Sequence, residues 1–171
     1  CKACKRECPT GVDMSKMKIE ISSLRTKKFG LDLNSKLVAF LPYYAPIASK
    51  FALIMNLRDK LPGLAKLSEM LLGFTSKRPL PKWRRDYFKN SELPNNLNGI
   101  KNTTPVILFV DTFNRYYEPE NVRSAIKVLK KAGYYPFIPT LPNSSKILCC
   151  GRTYLSNGLI DNAKNEMLYI L

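Results

Sequence analysis

Apolar positions in this 171-residue chain fall into two regimes, helical spacing up to about residue 73 and strand-like runs flanking a helix from Pro105 onward. Met14, Met17, Ile21 and Leu24 recur every three or four residues, as one face of an amphipathic helix requires. Asp13 is placed to cap that helix and Gly30 to end it. Residues 37–57 are the most hydrophobic stretch, but Pro42, Pro46 and Lys50 interrupt it, so a membrane span is the poorer reading. The pattern predicts a turn and then a helix from Pro46, with Ile47, Phe51, Ile54 and Leu57 on its core face. A third helix starts near Pro62, uses Leu64, Leu67 and Leu71, and stops at Gly73.

Periodicity disappears over residues 74–104, where prolines, asparagines and charges predict an irregular linker with Trp83 as its one large anchor. From Pro105 the pattern turns α/β. Val106 to Val110 is a continuous apolar run, as a buried strand shows. A loop over Asp111–Tyr117 leads into a helix with Pro119 in its first turn and Glu120 favourable to the dipole. Val122, Ala125, Ile126 and Leu129 face the core, and Gly133 ends the helix. A second strand over Tyr134–Ile138 completes a β-α-β unit, which implies parallel pairing. No G-x-G-x-x-G lies in its first turn, which argues against a dinucleotide fingerprint.

Charge adds a partner class. The net charge is +15, yet Lys and Arg are spread along the chain without a helix-turn-helix, RRM or zinc-finger signature, so nucleic acid is not the expected partner. A basic face suits an anionic membrane surface or an acidic redox partner better. The first residue is not Met and the last lies inside a helical pattern, so the chain is expected to be part of a longer one. Free cysteines without a disulfide pattern suit a reducing, cytoplasmic compartment, with a peripheral position on the inner face of the cytoplasmic membrane as a further expectation.

The strongest chemical signal is the opening run Cys1-Lys2-Ala3-Cys4-Lys5-Arg6-Glu7-Cys8-Pro9. Its spacings match the last three cysteines of the bacterial C-x2-C-x2-C-x3-C-P run that wraps a 4Fe–4S cubane. The proline after the last ligand fixes the local backbone. A zinc site would want a second C-x-x-C pair or histidines, and the chain has no histidine at all. In two-cluster proteins the fourth cysteine of such a run serves the other cluster, so Cys1, Cys4 and Cys8 form a partial ligand set. A second group, Cys149-Cys150-Gly151-Arg152, opens a helix carrying Leu155, Leu159 and Met167. Adjacent cysteines direct their sulfurs differently, and Gly permits close backbone approach. The doublet alone reads equally well as metal ligands, redox thiols or small buried hydrophobes.

Cys-Cys-Gly in this position resembles the cysteine-rich domain of the iron–sulfur subunits of glycolate oxidase, anaerobic glycerol-3-phosphate dehydrogenase and heterodisulfide reductase. Cys4–Glu20, Asn56–Gly63, Asp111–Glu120 and Cys149–Ser156 together resemble the C-terminal third of fused FAD-linked oxidases acting on D-2-hydroxy acids such as D-2-hydroxyglutarate or D-lactate. The resemblance implies an α+β fragment. A truncated α-helical ferredoxin-type domain with its following helices would occupy 1–73, a helical linker 74–104, and the first half of a β-α-β cysteine-rich (CCG) domain 105–171. It further implies 4Fe–4S clusters bound partly by Cys1, Cys4 and Cys8, with Cys149 and Cys150 as further ligands or redox thiols. FAD would sit in an upstream flavin domain, on the same chain or a partner subunit, and a quinone or electron carrier would be the acceptor. No catalytic residue is expected within these 171 residues. The family pattern places a lone cysteine at the end of the first strand, where this sequence has Thr112. Three other readings stand beside this one: a separate iron–sulfur subunit, a zinc-stabilised basic binding module, and a thiol redox sensor using Cys149 and Cys150.

Overall fold

The computed structural model describes residues 3–94, 103–138 and 148–170. The order is α1 (Ala3–Arg6), α2 (Met14–Phe29), α3 (Leu33–Ala39), α4 (Leu41–Lys50), α5 (Ala52–Met55) and α6 (Leu64–Leu72), then β1 (Thr104–Ile107), α7 (Thr112–Tyr116), α8 (Pro119–Lys131), β2 (Tyr134–Phe137), α9 (Arg152–Ser156) and α10 (Ile160–Leu168). Short 3₁₀ turns occupy Asn56–Asp59 and Asn90–Glu92. The chain divides into two compact units. One gathers 1–41, 70–74 and 149–171, and the other 42–69 and 75–148. Both units are assembled from segments distant in sequence, so they group the chain differently from boundaries at 73/74 and 104/105.

In the first unit, α2 has the bounds its periodicity predicts. The Asp13 carboxylate accepts the Lys16 N–H at 3.0 Å, and Gly30 closes the helix at φ +76°. Its buried face is not the predicted one. Met14, Met17, Ile21 and Leu24 are exposed among the described residues, and Ser23 is buried instead. The reason is geometric: the α9–α10 turn meets α2 backbone to backbone, and small polar side chains leave room for that approach.

The second unit repeats this inversion. α4 begins at Leu41, ahead of the predicted start, and carries Pro46 in its interior. Proline there forgoes the bond its N–H would give to residue 42. The helix breaks at Phe51 before α5 resumes. Ile47, Phe51 and Ile54 are exposed, whereas Ala45, Ala48, Ser49 and Ala52 on the opposite face are buried. Alanine and serine admit a neighbouring backbone at distances that Ile or Phe would block.

Residues 75–94 lack regular structure apart from one 3₁₀ turn, as their composition predicts and unlike the helical linker the resemblance implied, and they are packed rather than linking; 95–102 lie outside the described residues. Phe88 and Leu93 form a core cluster with Val110, Val122 and Ile126. Hydrogen bonds fix the backbone of this segment along its length. Phe88 N–H donates to the Arg115 carbonyl at 3.0 Å, and the Arg115 guanidinium donates to the Phe88 carbonyl at 3.2 Å and to Asn90 Oδ1 at 2.7 Å. Asn56 holds Trp83 by both main-chain groups, each at 2.9 Å. The Trp83 ring sits between Tyr117, with centroids 4.6 Å apart, and Tyr44 at 6.1 Å.

The β-α-β unit pairs its strands in parallel, as predicted, with Thr104, Pro105, Val106 and Ile107 opposite Tyr134, Tyr135, Pro136 and Phe137. β1 starts ahead of the apolar run and is not buried throughout. Leu108 and Val110 turn inward, while Ile107 and Phe109 are exposed. With α8 covering one face, the chain shows the period-two alternation of a half-covered sheet. The expected loop over Asp111–Tyr117 contains a helix, α7. Its N-cap Asp111 accepts the N–H groups of Phe113 and Asn114 at 2.7 and 3.1 Å.

Ion pairs clamp the irregular segment onto α8. Arg84 bridges Asp86 and Glu120, and Arg123 bridges Glu92 and Asp86. The arginine partners hold the carboxyls of Asp86 and Glu92 below their ordinary values, and Glu120 is lowered by its own backbone N–H and by Arg84. Carboxylates with folded values below their unfolded ones contribute stability that is complete above the unfolded range and lost as pH falls through the folded values. Hydrogen-exchange protection in residues 84–93, relative to the intrinsic rate, is therefore expected to fall below about pH 4 ahead of that in α2, whose middle carries no such pair among the described residues. The effect will be modest because these pairs face solvent.

Candidate functional site

Of the cysteine run, Cys1 and the side chain of Cys4 lie outside the described residues. The Cys4 backbone belongs to α1, a short helix the spacing did not predict. Cys8 follows in a turn closed by Gly11 N–H on the Cys8 carbonyl at 3.1 Å, with Gly11 at φ +70°. That turn wraps donors around the sulfur. Thr10 Oγ1 lies 3.1 Å from Cys8 Sγ, and the thiol is lowered from its ordinary value by the Thr10 hydroxyl first, then by the backbone N–H groups of Thr10 and Val12. Lys5 pairs with Asp13 at 3.2 Å, which ties α1 to the start of α2 on either side of the turn.

The surroundings of Cys8 fit a sulfur that carries charge, as a cluster ligand does: donors converge on it, and it is partly open to solvent. Among the described residues no three Cys, Asp or Glu side chains converge as a metal cage. Sequence reasoning singled out Cys8 but missed the hydroxyl two residues on, although Cys8-Pro9-Thr10-Gly11 carries its signal as a turn tetrapeptide. Thr10→Val is expected to return the Cys8 thiol part of the way toward its ordinary value, because the backbone donors remain. Since the thiolate is the reactive form, alkylation of metal-free protein at a fixed pH below that value will slow. An unmoved rate-against-pH profile would show that the hydroxyl is not the partner.

The doublet has two distinct environments, in keeping with sulfurs that diverge. Cys149 is 2% exposed, Cys150 is open to solvent, and neither is in a disulfide. Gly151 follows at φ +72°, and a Cβ on it would meet the Ala163 carbonyl oxygen at 3.1 Å, so the close backbone approach expected of this glycine is present. The helix it opens is not continuous. α9 ends at Ser156, the chain turns at Asn157–Gly158, and α10 begins at Ile160. Arg152 is exposed at the start of α9.

Cys149 and Cys150 fall in the same compact unit as Cys8, whereas Thr112 belongs to the other unit. Thr112 is the first residue of α7, 1% exposed, and its hydroxyl makes no hydrogen bond among the described residues. A cleft of about 370 Å³ in the first unit is lined by Ser22, Arg25, Thr26, Asp32, Ser35 and Asn157, among others, and by none of the predicted cysteines. No described helix is long and apolar enough to cross a membrane.

No protein-family model matches the chain, and no solved structure matches it. Three curated relatives do. The chain is 26% identical over 152 residues to D-2-hydroxyglutarate dehydrogenase of Escherichia coli, 26% over 155 residues to that of Pantoea ananatis, and 24% over 152 residues to that of Haemophilus influenzae. Each alignment takes in 84% of this chain and 15% of the relative, so the chain spans about a seventh of the length of the proteins it matches. The sequence is thus similar, over most of its length, to one segment of the much longer D-2-hydroxyglutarate dehydrogenases of three bacteria.

Proposed function

We propose that this chain is the electron-transferring portion of a flavin-dependent D-2-hydroxy-acid dehydrogenase. The observation that carries the reading is the similarity to three D-2-hydroxyglutarate dehydrogenases across 84% of the chain. The cysteine run and the thiolate-stabilising turn at Cys8 support it. In this reading residues 1–73 descend from a ferredoxin-type domain and residues 105–171 from the first half of a cysteine-rich domain. An upstream flavin domain removes two electrons and two protons from the hydroxy acid. A 4Fe–4S cluster supplies one-electron acceptance and release.

The residues of this chain hold and tune. Cys1, Cys4 and Cys8 would supply thiolates. Thr10 and the N–H groups of the Cys8 turn would spread the sulfur's charge, the outer contacts that set potential in such sites. Cys149 and Cys150 would serve as further ligands or redox thiols toward a quinone or carrier acceptor. The excess of Lys and Arg suits a peripheral position at the inner face of the cytoplasmic membrane, where a quinone is reached.

The test is electron paramagnetic resonance with iron analysis on the full-length protein, purified anaerobically and mixed with D-2-hydroxyglutarate or D-lactate. Cubane signals that rise on reduction by one of these acids are the expected result. Stoichiometric zinc, or iron that no D-2-hydroxy acid reduces, would overturn the reading.

A further inference from the structure

The contact between the Asn157–Gly158 turn and α2 is closer than the cysteine motifs require. Gly158 has φ +76°, and a Cβ on it would lie 2.5 Å from the Ser22 carbonyl carbon and 2.6 Å from both Ser22 O and Ser23 N. Those are backbone atoms inside a helix, so no side-chain rotation relieves the clash. Beside this contact Thr26 Oγ1 donates to the Asn157 carbonyl at 3.0 Å, and Asn157 Nδ2 donates back to the Thr153 carbonyl at 2.8 Å. One turn back along α9, Tyr154 is buried and meets Phe40 edge to face at 5.6 Å. A five-residue helix has no stability of its own, so its position is set by these contacts. The residues immediately before it are Cys149, Cys150 and Gly151.

We propose that Gly158 and Thr26 are positioning residues that seat the Cys149–Cys150 segment on the helix following Cys8, fixing the separation between the two cysteine groups for electron transfer. The inference rests on the electron-relay reading above. α2 acts as a shared bracket. The Cys8 turn is tied to its start through Lys5–Asp13, and the doublet's helix is tied to its middle through Ser22, Ser23 and Thr26. Electron transfer between centres weakens steeply with distance, so a methyl-sized displacement of α9 costs rate without touching either cysteine group. Volume and hydrogen bonding make separate contributions: Gly158 supplies the close approach, and Thr26 the direction.

The experiment uses the full-length holoprotein with D-2-hydroxyglutarate as reductant and dichlorophenolindophenol as acceptor. Oxidation of the hydroxy acid to the 2-oxo acid releases two electrons and two protons, and the dye takes up both pairs. Gly158→Ala is expected to abolish hydrogen-exchange protection of the α9 amides while α8 stays protected. Thr26→Val is expected to slow dye reduction several-fold at unchanged iron content and unchanged flavin reduction, and Thr26→Ser, which keeps the hydroxyl, to restore it. Retained α9 protection in Gly158→Ala would overturn the proposal, as would unchanged dye reduction in Thr26→Val. Should Gly158→Ala fail to accumulate, the Thr26 pair decides alone. A wild-type protein that no D-2-hydroxy acid reduces would instead remove the underlying functional reading, and the α9 exchange measurement would then still report on the seating itself.

Discussion

Phe88→Ala is expected to destabilise the second unit by about 3–5 kcal/mol, toward the upper end of that range. The ring is fully buried in the cluster with Leu93, Val110, Val122 and Ile126. Large-to-small changes cost most where the surroundings cannot collapse, and here the Phe88 backbone is pinned through its N–H and its carbonyl to Arg115. The guanidinium of Arg115, itself 5% exposed, also lies 5.6 Å from the Phe88 ring centroid, so alanine removes a partner from a buried cation. Burial already pulls the Arg115 pKa down, which shows how little solvent stabilises that charge. Hydrogen exchange at β1, β2 and α8 in the full-length protein is the measurement. Protection within a factor of a few of wild type would mean that the segment carrying Phe88 is not part of the packed core.

Cys8→Ser is expected to have the largest functional effect. Changing a group that only orients a metal ligand costs about 10–100-fold in affinity or activity, and removing the ligand itself should exceed that. On the proposed reading, which puts the flavin chemistry outside these 171 residues, flavin reduction by the hydroxy acid should persist while iron content and delivery of electrons to a dye both fall. The division matters: a mutant that lost flavin reduction as well would point to a fault in assembly. Full iron and full dye reduction in Cys8→Ser would show that Cys8 holds no cluster.

Boundaries were more legible than faces. The cap at Asp13, the stops at Gly30, Gly73 and Gly133 and the proline start of α8 follow from local chemistry and appear where that chemistry placed them. The buried sides of α2 and α4 do not follow, because periodicity marks a stripe of apolar residues without saying what meets it. In α4 the buried side is the one carrying Ala45, Ala48, Ser49 and Ala52. α7 was hidden for a different reason: its one strong signal is the Asp111 cap, and five residues carry too little periodicity to read. At the candidate site the cysteines announced themselves by spacing. Thr10, Thr26 and Gly158 did not, since their roles depend on a hydrogen bond to sulfur and on contacts across 131 or more residues of chain.

The register of the two strands has a consequence for association. Leu108 N–H points at Phe137, so the donors of alternate residues of β1, Pro105 among them, face away from β2. Ile138 N–H points away from β1 to the Pro94 carbonyl, which puts the Pro136 nitrogen on that same outer side. Each strand thus carries its proline where the ladder loses no bond and the outer edge loses a donor. Among the described residues, a foreign strand would find a gap in its hydrogen bonding at Pro105 along β1 and at Pro136 along β2, where Pro94 already takes the Ile138 N–H, which is how sheet edges resist templating aggregates.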